Sequence, residues 1–200
     1  MDNKDKQYFY KIRGNVLEML SARGHTISQE LTNISLDEFG AMSDNDSADI
    51  YIKNDNTDIF IYFYNKEKSF GKKELKDVVQ TTKDSYGEYV NILLILNKYN
   101  KTAIDKELIN IYYSNVEYMP AQIMTFNITN NYLVPKHILL TPDEKQKVLA
   151  QYNTDTLDSF PILKKDDAQA KYYGMKTGDL CKIIRSCPTA GVSIYYRAVV

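Results

Sequence analysis

Apolar residues near the N-terminus recur at the spacing of a helix. Over residues 8–20 one face carries Phe9, Ile12, Val16, Met19 and Leu20. Gly24 follows that stretch and is suited to the left-handed conformation that ends a helix. Ser35 and Glu38 have the spacing of a capping box, which predicts a short second helix through Phe39 before the turn-rich residues 43–46.

The next apolar segments predict strands. Residues 48–53 and 58–64 are rich in Ile, Tyr and Phe, and the Asn/Asp-rich residues 54–57 between them are typical of a hairpin turn. Residues 90–96 form an apolar run that is too short for most helices, so we expect a strand covered on both faces.

A helix over residues 72–86 and a further strand over 109–113 complete this part of the chain. The pattern predicts a small mixed sheet with flanking helices.

After Phe126 the composition changes. Residues 127–200 have a net charge of +3 and the preceding residues have −4, which together give the chain its net charge of −1. Thr141 and Pro142 mark the start of a helix that extends to about residue 152. A short helix over 167–173 precedes Gly174, and strands over 180–186 and 192–199 flank a turn at 188–191. We therefore expect two domains, residues 1–126 and 127–200.

Composition limits the classes of protein that fit this chain. The 200 residues are 44% hydrophobic, with 25 basic and 26 acidic side chains. That balance argues against a free-standing nucleic-acid-binding protein, because such proteins carry a basic surplus. No window approaches the roughly 18 apolar residues of a membrane helix, so we expect an intracellular protein without a membrane partner.

Metal and thiol chemistry have little support in the sequence. Cys181 and Cys187 lie six residues apart in one apolar run. If that run is a strand, they share a face at about 20 Å from each other, which predicts reduced thiols. His25 and His137 are isolated in the sequence, so we predict no metal site and no cofactor.

One enzymatic alternative is a metal-dependent nuclease or resolvase. In the restriction-enzyme-like fold, an acidic residue on one strand and Glu-x-Lys on the next hold a divalent ion. Asp49 and Asp58 open the two predicted strands, but aromatic residues occupy the second strand where the carboxylate and lysine should project. Glu67 and Lys68 are adjacent and therefore have the wrong spacing. We predict no catalytic residue and keep the nuclease as the alternative.

Lysines concentrate in two loop regions. The first group is Lys66, Lys68, Lys72, Lys73 and Lys76, and the second is Lys98 and Lys101. Flexible lysines in exposed loops suit phosphate contacts that position nucleic acid without reading its bases. An ordinary solvated surface is the alternative for both groups.

Several ordered motifs in the second half resemble one family. They are LVPKH at 133–137, LTPDEK at 140–145, YYGMKTGD at 172–179, KIIR at 182–185, TAG at 189–191 and YYR at 195–197. This half resembles the H-subunit family of archaeal RNA polymerases, which is similar to the C-terminal half of the fifth-largest subunit shared by eukaryotic nuclear RNA polymerases. In the first half, Arg23-Gly24 and Phe70-Gly71-Lys72 resemble the N-terminal half of that eukaryotic subunit.

The resemblance implies a fold and a function. The fold would be α+β or α/β, with a catalytically inert, restriction-endonuclease-like jaw domain followed by a small α+β domain like the archaeal H-subunit. The chain would be a non-catalytic subunit of a multisubunit DNA-dependent RNA polymerase that docks on the largest subunit. Its jaw would lie beside the downstream DNA duplex, where we expect weak phosphate contacts. An adaptor outside transcription is a further alternative.

The resemblance also selects candidate site residues. The resemblance implies that the loop at 97–103 is among the parts of the jaw nearest DNA, so Lys98 and Lys101 are expected DNA contacts. Lys72 and Lys73, from the first lysine group, are added to them. The expected subunit contacts are His137, Lys182, Arg185 and Arg197.

Two departures from the family pattern point to a divergent source. Ala168 stands where the family usually has proline, and Val192 stands where it has arginine. Together with the Asn/Lys/Ile/Tyr-rich composition, these departures make a large DNA virus a plausible source. A cellular protein would work in the nucleus, and a viral one in a cytoplasmic factory and the virion.

Overall fold

A computed structural model describes residues 3–44, 48–53, 58–187 and 191–200. The chain divides into two compact units, Met1–Phe126 and Asn127–Val200. In the described residues the helices are α1 (Asn3–Ala22), α2 (Gln29–Thr32), α3 (Leu36–Asp44), α4 (Lys72–Tyr86), α5 (Lys101–Leu108), α6 (Pro142–Gln151) and α7 (Ala168–Tyr172). The strands are β1 (Ile50–Ile52), β2 (Ile59–Tyr64), β3 (Asn91–Leu96), β4 (Val116–Pro120), β5 (Lys136–Leu139), β6 (Ile162–Leu163), β7 (Leu180–Cys187) and β8 (Gly191–Val199).

The first unit contains a mixed sheet with the strand order β1-β2-β3-β4. The two predicted strands pair antiparallel as β1 and β2, with Ile50 opposite Ile61, and the turn predicted at 54–57 lies outside the described residues. Strands β2, β3 and β4 are parallel, and α4 and α5 form the crossovers between them. Five of the six residues of β3 are buried, so the strand predicted from the apolar run is confirmed.

Helices cover both faces of this sheet. Leu75 and Val79 of α4 and Ile104 of α5 share a core cluster with Leu94 of β3. Glu117 of β4 lies opposite Leu93 and therefore projects from the other face.

On that second face, Arg23, just after α1, donates two hydrogen bonds of 2.9 and 2.8 Å to the Glu117 carboxylate. The apolar stripe of α1 is buried, and Gly24 has the expected positive φ of 92°.

The strand predicted at 109–113 is wrong. These residues contain a 3-10 helix, Ile111–Tyr113, and the last strand of the sheet is β4 instead. Asn110 explains the difference, because its side chain accepts a hydrogen bond from the Tyr112 N–H and its carbonyl accepts one from the Tyr113 N–H. Both bonds close the backbone into a turn.

Two further boundaries differ from the sequence prediction. Helix α3 continues through Asp44, whereas we expected a turn from residue 43, and residues 45–47 lie outside the described part of the chain. The loop predicted at 97–103 ends at Asn100, whose side chain accepts a hydrogen bond from the Ala103 N–H and caps α5. Lys101 is therefore the first residue of a helix that the sequence analysis missed.

The second unit contains a sheet with the order β5-β7-β8-β6. The predicted helix start is confirmed, since the Thr141 hydroxyl and the Glu144 carboxylate form a reciprocal capping box at α6. Gly174 follows α7 with a φ of 64°. The strands β7 and β8 pair antiparallel, and residues 188–190 of the predicted turn lie outside the described residues.

Both faces of the β7–β8 pair are covered near the C-terminus. One cluster joins Leu180 and Ala198 to Val148 and Leu149 of α6, and another joins Cys181 to residues around α7. Cys181 and Cys187 both lie in β7 and form no disulfide. Burial raises the pKa of the Cys181 thiol to about 11. Across the described ranges, no helix is both long enough and apolar enough to span a membrane.

Candidate nucleic-acid and subunit interfaces

The parallel strands of the first unit bring the predicted DNA-contact lysines to one edge. Because β2 and β3 run parallel, the segments that follow them, 65–73 and 97–101, meet where both strands end. We call these two segments the carboxyl-edge surface. Lys72 and Lys73 lie in the first turn of α4, Lys98 lies in the loop after β3, and Lys101 begins α5.

Hydrogen bonds join the two segments of this surface. The Phe70 N–H donates to the carbonyl of Lys98, and the Asn100 N–H donates to the carbonyl of Phe70, both at 2.9 Å. The Phe70 ring is fully buried, and Tyr99 packs on the same core with its ring 5.6 Å from that of Tyr118. Lys98 is exposed between these anchored neighbours, so its backbone is fixed while its side chain reaches solvent.

Two lysines of the carboxyl-edge surface form ion pairs with carboxylates. Lys72 Nζ lies 2.6 Å from Glu107 Oε1, and Lys68 Nζ lies 2.7 Å from Glu74 Oε1. The hydrogen bond from Lys68 lowers the pKa of Glu74 to about 2, and hydrogen bonds from backbone N–H groups contribute to this lowering. The hydrogen bond to Glu107 raises the pKa of Lys72. Lys72 therefore has a partner in α5, although its side chain is exposed, as are those of Lys73, Lys98 and Lys101.

Sequence reasoning missed Glu107 because it missed α5. Asn100 at the cap position, with Ile104 and Leu108 four residues apart, was the signal that would have identified this helix.

The two candidate nuclease carboxylates bind groups of their own sheet. Asp49 Oδ1 accepts a hydrogen bond of 2.9 Å from the Phe63 N–H, and Asp58 Oδ2 accepts one of 2.6 Å from the Tyr51 hydroxyl. The latter bond raises the pKa of Tyr51. Within the described residues, no group of three or more His, Cys, Asp or Glu side chains is placed to hold a metal ion.

The four predicted subunit-contact residues do not form one cluster. His137 is only 8% exposed, and its Nδ1 lies 2.7 Å from the carbonyl of Pro135, which gives the ring a role inside the unit. Arg185 and Arg197 project from one face of the β7–β8 pair, and Lys182, opposite Tyr196, projects from the other. Arg197 Nη1 also donates to the carbonyl of Ile162 at 3.1 Å.

Comparison with known proteins covers both units in order. Residues 3–82 match the family described as RNA polymerase Rpb5, N-terminal domain, and residues 126–199 match RNA polymerase Rpb5, C-terminal domain. The subunit rpabc1 of DNA-directed RNA polymerases I, II, and III from Dictyostelium discoideum is 30% identical over 201 residues, covering 98% of this chain and 100% of the relative. The chain belongs to the Rpb5 family.

Other relatives agree with this assignment. The Caenorhabditis briggsae subunit RPABC1 is 29% identical, over 100% of this chain and 99% of its own length. The archaeal subunit Rpo5 of Methanothrix thermoacetophila is 47% identical over 75 residues, which cover 38% of this chain and 95% of the relative. The predicted resemblance to a shared polymerase subunit is therefore confirmed, and the nuclease alternative has no support among these Rpb5 relatives.

Proposed function

We propose that this chain is a non-catalytic subunit of a multisubunit DNA-directed RNA polymerase. The observation that carries the proposal is the match, over nearly the full length of both chains, to relatives named as such subunits. In this proposal the second unit docks on the largest subunit, and the first unit is a jaw with a restriction-endonuclease-like fold and no nuclease activity.

The carboxyl-edge surface supports a role for the first unit beside downstream DNA. Lys98 and Lys101 project from a backbone that Phe70 and Asn100 fix in place, so contact with phosphate requires little ordering of the chain. Lys73 adds a third exposed ammonium group, whereas the Glu107 carboxylate partly neutralises Lys72. Two or three lysines provide weak, sequence-independent binding, which suits a part that meets DNA only within its polymerase.

Charge supports docking through the second unit. Arg185 of β7 and Arg197 of β8 lie on one face of this strand pair, and Lys182 of β7 lies on the other. Both faces therefore present cations to a partner. His137 contributes by holding the start of β5 rather than by direct contact. A polymerase encoded by a cell would carry this subunit into the nucleus, and one encoded by a virus would carry it into the viral factory and the virion.

Affinity purification of the tagged full-length chain from its native source tests the proposal. We expect the two largest polymerase subunits to be recovered in stoichiometric amounts, because a constitutive subunit does not exchange during purification. Recovery of the chain without them would refute the proposal and favour an adaptor outside transcription. Incubation of the same material with plasmid DNA and Mg²⁺ or Mn²⁺ checks the nuclease alternative, which alone requires cleavage that Asp49→Ala abolishes.

A further inference from the structure

The outer edge of β8 is longer than the strand that covers it. Strand β8 runs for nine residues, but among the described residues β6 pairs only with Ala198 and Val199. Residues 191–196 therefore have a paired side, toward β7, and an outer side with no strand beside it in the described part of the chain. Sheet edges of this length normally carry protection against strand addition.

Hydrogen bonds identify which backbone groups face outward. The Ala198 N–H donates to the carbonyl of Pro161, on the outer side. Because N–H and C=O groups alternate sides along an antiparallel strand, those of Val192, Ile194 and Tyr196 also face outward. This edge thus presents three N–H donors and three carbonyl acceptors in register.

The side chains at this edge offer none of the usual protection. Residues 191–196 contain no charged residue and no proline, and Val192, Ile194 and Tyr195 are 61%, 48% and 53% exposed. The other edge of the same sheet differs, since β5 has only four residues and begins with the exposed Lys136. An apolar, uncharged edge beside a short, charged one indicates that only the β8 edge is built for pairing.

The charge of this sheet indicates what kind of segment would pair with the β8 edge. The four strands of this sheet carry Lys136, Lys182, Arg185 and Arg197 and contain no Asp or Glu. Arg185 lies directly opposite Ser193, whose small side chain leaves the guanidinium a path toward a strand added beside β8. A second copy of this chain would bring the same cations edge to edge, so charge disfavours self-pairing.

We propose that the β8 edge binds an extended segment of another polymerase subunit as an additional β-strand. The segment alternates apolar residues, which pack beside Val192 and Ile194, with at least one carboxylate, which meets Arg185 across Ser193. This inference rests on the proposed function and adds to it the mode of docking and the chemistry of the partner.

Amide hydrogen exchange tests the inference on the isolated full-length chain and on the purified polymerase that contains it. We expect exchange at Val192, Ile194 and Tyr196 to slow at least about tenfold on assembly, because each amide gains or neighbours a strand hydrogen bond. Unchanged exchange in a polymerase that contains the chain would overturn the edge proposal and leave the proposed function intact. Absence of the chain from the polymerase would refute both, and concentration-dependent protection of the isolated chain would assign the edge to a second copy.

Variants separate backbone pairing from side-chain contact. Ile194→Pro removes an outward N–H without breaking the pairing with β7, whereas the control Ile194→Val keeps that N–H and the β-branched shape. In competition with the wild-type chain for incorporation into the polymerase, we expect at least about tenfold less of the Pro variant and near-equal amounts of the Val variant. Equal incorporation of a folded Pro variant contradicts the proposal, and if that variant fails to fold, the exchange measurement on the unmodified chain still decides.

A charge reversal tests the nature of the partner. Arg185→Glu should reduce incorporation, and Lys176→Glu, which makes the same change outside the strands of this sheet, should not. If Arg185→Glu is incorporated as well as the wild-type chain, the partner segment is not acidic.

Discussion

Reversing the charge of Lys98 and Lys101 together should weaken the hold of the assembled polymerase on downstream DNA. Both side chains are exposed at the carboxyl-edge surface, and the Phe70 carbonyl and N–H fix the backbone beneath them. The change Lys98→Glu/Lys101→Glu therefore removes two candidate phosphate contacts without removing a buried side chain.

The magnitude follows from counterion release. Each phosphate contact contributes about 0.9 to the slope of log affinity against log salt, so losing two contacts lowers the slope by about 1.8. Over a fourfold range, from about 50 to about 200 mM salt, the wild-type polymerase then loses roughly twelvefold more affinity than the variant does. Repulsion by the new carboxylates lowers the affinity of the variant further at the low-salt end.

The assay compares polymerases that carry either chain. Retention of a labelled downstream duplex is measured across the salt series, with Lys4→Glu/Lys11→Glu as a control that makes the same charge change at exposed positions of α1. Parallel salt dependence for the wild-type and the Lys98/Lys101 variant would refute the assignment of DNA contact to this surface. A shallower slope for the α1 control as well would mean that net charge, and not a local contact, governs retention.

The remaining predictions concern stability. Arg23→Ala should cost about 1–2 kcal/mol of unfolding free energy, because it breaks a bidentate bond to a carboxylate that is itself partly exposed. A double-mutant cycle with Glu117→Ala checks this value, and additive effects would exclude the pair as the cause. Leu94→Ala should cost about 2–5 kcal/mol in urea unfolding, since the side chain is fully buried in the central strand, and a loss below about 1 kcal/mol would contradict that packing. Thr141→Ala should cost about 1 kcal/mol through loss of the α6 cap, whereas Thr141→Ser should be near neutral. The pKa of Glu74 is lowered in the folded chain, so its contribution is present above its ordinary pKa of 4.5 and is lost as the pH falls toward about 2. Thermal unfolding of Glu74→Gln should accordingly depend less on pH in that window, and an unchanged dependence would assign the acid sensitivity elsewhere.

Local signals in the sequence predicted much of the fold. Helix α4 occupies the predicted residues 72–86, and the capping boxes at Ser35 and Thr141 mark helix starts, because a cap is satisfied by neighbours three residues away. Strand β3 could be predicted from its apolar run for a similar reason, since a strand buried on both faces needs no alternation of apolar and polar residues.

Features that depend on residues distant in the sequence could not be predicted from local signals. Strand β4 contains Glu117, whose partly exposed carboxylate pairs with Arg23 from a position 94 residues earlier. The two-residue strand β6 exists only by pairing with the end of β8.

The same contrast between local signals and distant partners applies to the candidate site residues. The family resemblance selected Lys98 and Arg185, which the structure leaves exposed, whereas the clustering of lysines selected Lys72, which pairs with Glu107 of an unpredicted helix. The motif also selected His137, which is nearly buried and whose Nδ1 lies 2.7 Å from the carbonyl of Pro135, so a family motif includes residues with contacts inside the unit.

The exposure of Lys98 between anchored neighbours has a consequence for how this surface can change. Phe70 forms backbone hydrogen bonds with Lys98 and Asn100, its ring is buried and the Tyr99 ring is partly buried, and none of these interactions uses the side chain at position 98. Substitutions at Lys98 therefore alter the charge of this surface at almost no cost in folding, whereas substitutions at Phe70 remove a fully buried ring. In the proposed role beside DNA, a substitution at this one position would change the salt dependence of template binding while the architecture of the unit stays constant.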